Sequence, residues 1–351
     1  MSGFFKVLFF YFLFPACAFA QDAWPSPEVA QMYHHAQDYV ALGNYKDAII
    51  TYRQAIALAP AKFVLYKELG KTLYLSGNYK DAVQTLQPLT EKPEADAACF
   101  QLLAESRRML NEIKNAHTAV NKGLSRFPAS GLLYNEQGAL YELEQYHERA
   151  LDSWQQGIQK DPSFAPNYAA AAKACFASGD AIWGLLYGEI YLNISTDTAG
   201  HEELKMMLFT GYKTMFDNIA DEATEPGITR KQKNTRPFET IIKETYLSLT
   251  PVVSDGITTE NLTMVRTRFI MDWMRKYGKT HPFSLFSYQD YLIRNGLFDI
   301  YNEWLFGKAE SPAEYKAWNE FHPVEIDIFL QKKKEHPLLP VAADAYNRSD
   351  K

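Results

Sequence analysis

A pattern of small and aromatic residues returns every 34 positions between Val29 and Asp197, with no insertion or deletion. Small residues fall at Ala48, Ala82, Ala116, Ala150 and Gly184, and a second small column runs Ala36, Gly70, Ala104, Gly138, Ala172. A large apolar or aromatic column runs Met32, Tyr66, Phe100, Tyr134, Tyr168. A fourth runs Gly43, Gly77, Asn111, Gln145, Gly179, and Pro60, Pro128 and Pro162 close three of the units. A cycle of this length means stacked copies of one small unit that cannot bury its apolar face alone.

Each column has a physical reason. The Gly/Asn column sits midway, where a first helix must stop and the chain needs a left-handed or tight turn. The small columns on either side let two antiparallel helices approach closely. The aromatic column fills the space towards the next pair. The prolines mark the end of each second helix, which proline cannot continue.

Tyr66, Leu69 and Gly70 followed by Gly77, Tyr79 and Ala82, and Gly43 and Tyr45 followed by Ala48, Tyr52, Ala55 and Pro60, resemble the tetratricopeptide repeat, a helix–turn–helix unit. The resemblance implies an all-α fold, an α-α superhelix of five helix-turn-helix repeats over 29–62, 63–96, 97–130, 131–164 and 165–198. A C-terminal helical region follows. The fifth unit is the most degenerate, as terminal repeats often are.

The N-terminus reads as a targeting segment over residues 1–20. Lys6 supplies the positive flank, Val7 to Phe14 is an unbroken apolar run, and Ala18, Phe19 and Ala20 form a small-residue cleavage site. The run is too short for a comfortable membrane span, so no transmembrane span is expected after cleavage. Lipid attachment at Cys17 is the weaker reading, because Phe14, Pro15 and Ala16 poorly match the residues that precede a lipidated cysteine. Cleavage removes Lys6 and takes the formal charge from −6 to −7. That mildly acidic balance lacks the basic stripe of a nucleic-acid binder. Cys99 and Cys175 sit on first helices two repeats apart, beyond the Cα separation of about 7 Å that a disulfide tolerates. Two buried thiols are expected.

Beyond the repeats, residues 199–220 read as a helix capping the array, with Leu204, Met207, Leu208, Met215, Phe216 and Ile219 on one face. Residues 221–237 read as a solvated linker carrying Arg230, Lys231, Lys233 and Arg236. Residues 238–337 read as a helical domain without a clean repeat. Thr258 or Thr259 caps one of its helices, Ser311 and Pro312 start another, and a divergent hairpin turns around Asn295 and Gly296. Residues 338–351 read as a flexible tail.

No motif with catalytic spacing is present, neither a paired-histidine helix nor a phosphate-cradling glycine loop nor a nucleophile elbow. His34 and His35 are adjacent and point to different faces, and His201 has no second histidine four positions on. Neither a metal nor a cofactor is expected. Asn193, Asn261 and Asn347 begin glycosylation-type triplets, a weak match.

In the family that the repeats resemble, partners lie in a concave groove lined by the second, fifth, sixth, ninth, twelfth and thirteenth positions of each first helix. The second column here reads Ala30, Val64, Ala98, Leu132, Pro166, and the thirteenth reads Ala41, Leu75, Met109, Leu143, Ala177. Both are apolar. Between them stand Tyr33, Gln37, Lys67, Lys71, Tyr74, Gln101, Glu105, Arg108, Asn135, Glu136, Glu142, Lys173 and Phe176. An apolar floor with polar and aromatic posts suits an extended peptide or a helix; the same columns would also serve helix packing. The carboxylate clamp known in the family is missing, since Tyr33, Gln37, Glu68, Ala98 and Leu102 occupy its places.

The expectation is therefore an exported, non-enzymatic scaffold, periplasmic or secreted, that binds peptide or helical segments of other proteins of a bacterial envelope. The competing readings are an enzyme or a glycan-binding envelope protein, with its site in the C-terminal region and the repeats as a docking arm.

Overall fold

A computed structural model describes residues 24–224, 238–254 and 256–346. The targeting segment, Cys17 and the basic cluster from Arg230 to Arg236 lie outside the described residues. Those described form helices and turns without a strand. The chain divides into two compact units, residues 1–85 and residues 86–351.

In the first unit, α1 (Pro27–Ala41) and α2 (Tyr45–Leu58) form a hairpin, and α3 (Phe63–Leu75) packs on α2. Ser26 caps α1 by accepting from the Val29 N–H at 3.2 Å, satisfying one of the donors a helix start leaves open. The chain reverses at Gly43 with φ 71° and at Gly77 with φ 79°. Ala36, Ala48, Tyr52 and Ala55 are wholly buried.

The second unit holds the rest of α4 (Tyr79–Leu89), then three further hairpins: α5 (Ala97–Met109) with α6 (Ile113–Arg126), α7 (Gly131–Leu143) with α8 (His147–Lys160), and α9 (Ala165–Ala177) with α10 (Ala181–Ile194). Their turns pass through Asn111 at φ 61°, Gln145 at φ 65° and Gly179 at φ 79°. The turn column thus holds one left-handed conformation whether or not its residue is glycine. The small columns are buried throughout. Phe100 and Leu133 occupy the place a Cβ on Gly123 would take, and the Trp154 indole lies 2.2 Å from where a Cβ on Gly138 would sit. Cys99 and Cys175 are buried thiols.

The helix expected over 199–220 is α11 (His201–Thr224). It is followed by α12 (Phe238–Leu247), α13 (Thr259–Lys276), α14 (Ser284–Arg294) and α15 (Phe298–Asn302). A π-helical turn (Glu303–Gly307) runs into α16 (Lys308–Glu310), then α17 (Pro312–Phe321) and α18 (Pro323–Glu335). Thr258 caps α13 in a reciprocal box with Asn261, and Gly296, at φ 67°, turns the chain between α14 and α15.

Two expectations about this region change. Residues 238–337 do not build a core of their own: one buried cluster runs from Ala150 through α9, α10 and α11 to Phe329 and Leu338. The reason lies in α10, where every residue from Ala181 to Asn193 is buried. A helix apolar on all sides must be covered on all sides, and the C-terminal helices cover it. Nor does the chain come loose at Leu338. That residue is buried, Tyr346 stacks on Phe238 with ring centroids 4.0 Å apart, and Asp344 accepts the Ser284 N–H at 2.9 Å.

The centre of this shared core is ionic. Arg266 on α13 pairs with Glu189 on α10 and donates to Asn302. Glu189 also accepts from Gln289 and, at 2.8 Å, from the Tyr301 hydroxyl. The guanidinium is enclosed by the rings of Tyr212, Phe298, Tyr301 and Phe306, at 5.1 to 5.7 Å. Burial, the largest influence, opposes the Arg266 charge, but Glu189 together with Tyr212, Tyr301 and Tyr246 holds the guanidinium above its ordinary pKa. Asn193, the start of a glycosylation-type triplet, is consumed here: its amide donates to the Glu189 carbonyl at 2.8 Å and to Tyr301 at 2.7 Å.

Candidate partner-binding surface

The first helices place the expected groove residues by register, since positions three and four apart share one helix face. In the first unit, the Tyr33 ring packs tilted against Trp24 at 4.7 Å and meets Tyr52 edge-on at 6.3 Å. Its hydroxyl accepts from Gln37 at 3.0 Å. Burial and the nearby Glu68 raise the Tyr33 pKa, so it stays a neutral hydroxyl. Lys71 is exposed, Lys67 is half-buried, and the Tyr74 ring lies 5.8 Å from Tyr79.

In the second unit, Arg108 and Glu136 come together across α5 and α7, with the guanidinium Nε 3.2 Å from the carboxylate. Gln101 donates to Glu105 at 2.7 Å on the same helix face. Glu136 is only 4 % exposed. Burial pushes its carboxyl up to about 7; Arg108 pulls it down and Glu105 pushes it further up. The charge on this pair therefore changes near neutral pH. Asn135 contributes through its carbonyl, which accepts from the Trp154 indole at 3.2 Å. Glu142 contacts His147 at 2.9 Å.

The remaining two posts are spent differently. Lys173 pairs with Glu203 of α11 at 2.6 Å. Phe176, expected as an open aromatic post, is wedged instead: its ring lies 2.7 Å from where a Cβ would stand on Gly184 and 2.5 Å from that on Gly211. Those two glycines make the slot. One side of Phe176 also lines a cavity of about 310 Å³ with Met206, Met207, Thr210 and Gly211. Of these α11 residues, the sequence places Met207 on the capping face but does not single out Met206, Thr210 or Gly211. The signal was present, because Thr210 stands 34 positions after Phe176 and continues its column.

The two apolar columns also separate. In the second column, Ala98 and Leu132 are partly buried and Pro166 is exposed. In the thirteenth, Met109 is 47 % and Leu143 53 % exposed, beside Arg108 and Glu142 in sequence; Leu75 of the first unit is 41 % exposed. Among the described residues, no group of three or more His, Cys, Asp or Glu could hold a metal ion, and no helix is long and apolar enough to cross a membrane.

Residues 39–106 match the family model of the tetratricopeptide repeat. No curated protein matches the sequence. Among solved structures, a thermophilic tetratricopeptide-repeat protein of Thermus thermophilus is similar at 15% identity, covering 53% of this chain and 99% of its own, with a TM-score of 0.43. The pilF protein of Pseudomonas aeruginosa is similar at 10% identity, covering 56% and 88%, with a TM-score of 0.45. A tetratricopeptide repeat protein from Parabacteroides merdae is similar at 13% identity, covering 75% and 97%, with a TM-score of 0.41.

Proposed function

Starting from a chain that belongs to the tetratricopeptide repeat family through its residues 39–106, we propose that it is a non-catalytic scaffold that holds peptide or helical segments of partner proteins on the faces of its first helices. The observation that carries this reading is the thirteenth column. Met109 and Leu143 leave about half of their surface in water, next to an Arg108–Glu136 pair whose charges lie on the same helices. Apolar side chains left open among charged posts suit a partner segment that is apolar with polar flanks. Export supports the choice of partners: cleavage after Ala20 would deliver the chain to a bacterial envelope, periplasmic or secreted, where its partners would be envelope proteins.

The test is in-cell crosslinking followed by pull-down. The variants are Met109→Ser with Leu143→Ser in the second unit and Lys67→Glu with Lys71→Glu in the first. Each pair should lower the yield of crosslinked partner while circular dichroism stays unchanged. Unchanged partners with both pairs would sink the assignment. Sequencing the N-terminus of the purified chain should read from Gln21; an intact Met1 or a lipidated Cys17 would overturn the export reading as stated.

A further inference from the structure

Away from the first-helix posts, the second unit gathers positive charge on one indole. The ammonium groups of Lys205 on α11 and Lys333 on α18 lie 4.4 and 4.1 Å from the centroid of the Trp304 ring. Lys205 is only 7 % exposed. Its carboxylate partner is Glu202 at 3.6 Å, and Glu202 also receives Lys308 at 2.8 Å. Lys333 donates to the main-chain carbonyl of Leu192 at 3.1 Å. In the ion pairs of the described residues, Glu202 is thus the one carboxylate serving these three ammonium groups. Among the ion pairs of the described residues, Lys333 has no carboxylate partner and Lys205 shares its one carboxylate with Lys308.

His201 opens α11 beside them. It is 8 % exposed, and its Nε2 is buried without a hydrogen-bond partner among the described residues. The imidazole meets Tyr191 edge-on at 5.4 Å. Burial lowers its pKa first, and Lys205 and Lys333 lower it further; the acids Asp197 and Glu202 act the other way. Burial, then the neighbouring Lys205, pushes the Lys333 amine down to about 8. Charges taken out of water without a partner are costly, and an unpaired buried polar atom adds to the cost. A bound anion would remove both costs.

We propose that His201, Lys205 and Lys333 form a binding site for a phosphate-type dianion, with the Trp304 ring as its apolar wall. A dianion would answer the Lys333 ammonium and the share of the Lys205 charge that Glu202, divided with Lys308, leaves open. The ammonium groups, and the imidazole in the tautomer that carries its proton on Nε2, supply donors that point-charge phosphate recognition uses. The site uses none of the residues assigned to partner binding, so it stands or falls separately.

The test uses the full chain and inorganic phosphate at pH 7.5, with sodium chloride at equal ionic strength as the comparison. Equilibrium dialysis should show saturable phosphate binding. Acetylation of Lys333, followed by mass spectrometry, should fall about tenfold at ten times the phosphate Kd by mass action, while acetylation of exposed Lys316 stays constant. Glucose 6-phosphate in place of phosphate distinguishes a phosphomonoester ligand from the free ion; protection by either supports the site. Lys205→Met and Lys333→Met should each abolish binding, with helicity retained. Absence of saturable binding to the unmodified chain, or Lys333 labelling that follows ionic strength alone, would overturn the proposal.

Discussion

The carboxylate of Glu189 receives the guanidinium of Arg266, 77 residues further along the chain, and both side chains are buried. This pair fastens α10 of the repeats to α13 of the C-terminal region. Breaking a buried pair from one side leaves an uncompensated charge, at a cost of about 3–5 kcal/mol. Arg266→Met should therefore lower the unfolding free energy by about that amount in urea titration. The double variant Arg266→Met with Glu189→Leu should recover most of the loss, because no buried charge remains. A single variant costing under about 1 kcal/mol would show that the pair does not bear on stability.

The turn column gives a prediction of opposite sign. Gln145 sits at φ 65°, a region that costs a residue with a Cβ about 1–2 kcal/mol and glycine much less. Gln145→Gly should raise the melting temperature by a few degrees. Gly179→Ala, at φ 79° with open space around it, should lower it comparably. Equal behaviour of the two in differential scanning calorimetry would contradict the strain account.

Glu136 should make stability pH-dependent. Its folded pKa of about 7 lies above the ordinary value of 4.5, so the folded state holds the proton more tightly than the unfolded chain does. Stability is then highest below pH 4.5 as far as this group is concerned, and falls as pH rises from 4.5 to about 7. The upper bound of the loss is about 3 kcal/mol. Glu136→Gln should flatten that part of the profile in denaturant titrations between these limits. A variant with an unchanged slope would assign the dependence to other groups.

Gly138→Ala should be costly for a reason particular to this hairpin. The new Cβ would fall 2.2 Å from the Trp154 indole nitrogen, which donates to the Asn135 carbonyl. The indole would have to move and give up that bond. Overpacking of this kind costs about 1–3 kcal/mol. The measurements are urea titration and the Trp154 contribution to fluorescence, and a neutral substitution would place the ring elsewhere.

The sequence alone determined the hairpins and their phase. The reason is physical: a 34-residue unit repeats its contacts, so each constraint is written several times. The small columns mark where helices touch, and the turn column marks where the chain must enter a left-handed conformation, at Asn111 and Gln145 as well as at the glycines. The sequence also placed the groove posts on their helix faces, but it could not say which posts are spent. Phe176 is wedged between Gly184 and Gly211, Lys173 pairs with Glu203, and Met109 and Leu143 stay open. Those outcomes depend on α11 and on neighbouring hairpins, which periodicity places only in register. The tertiary structure alone decided the fate of the C-terminal region. Glu189, Arg266, Gln289 and Tyr301 are far apart in sequence and carry no common spacing, so only the packed core brings them onto one carboxylate. One clue was legible: α10 is apolar on every side, which a helix at the open end of an array would not tolerate.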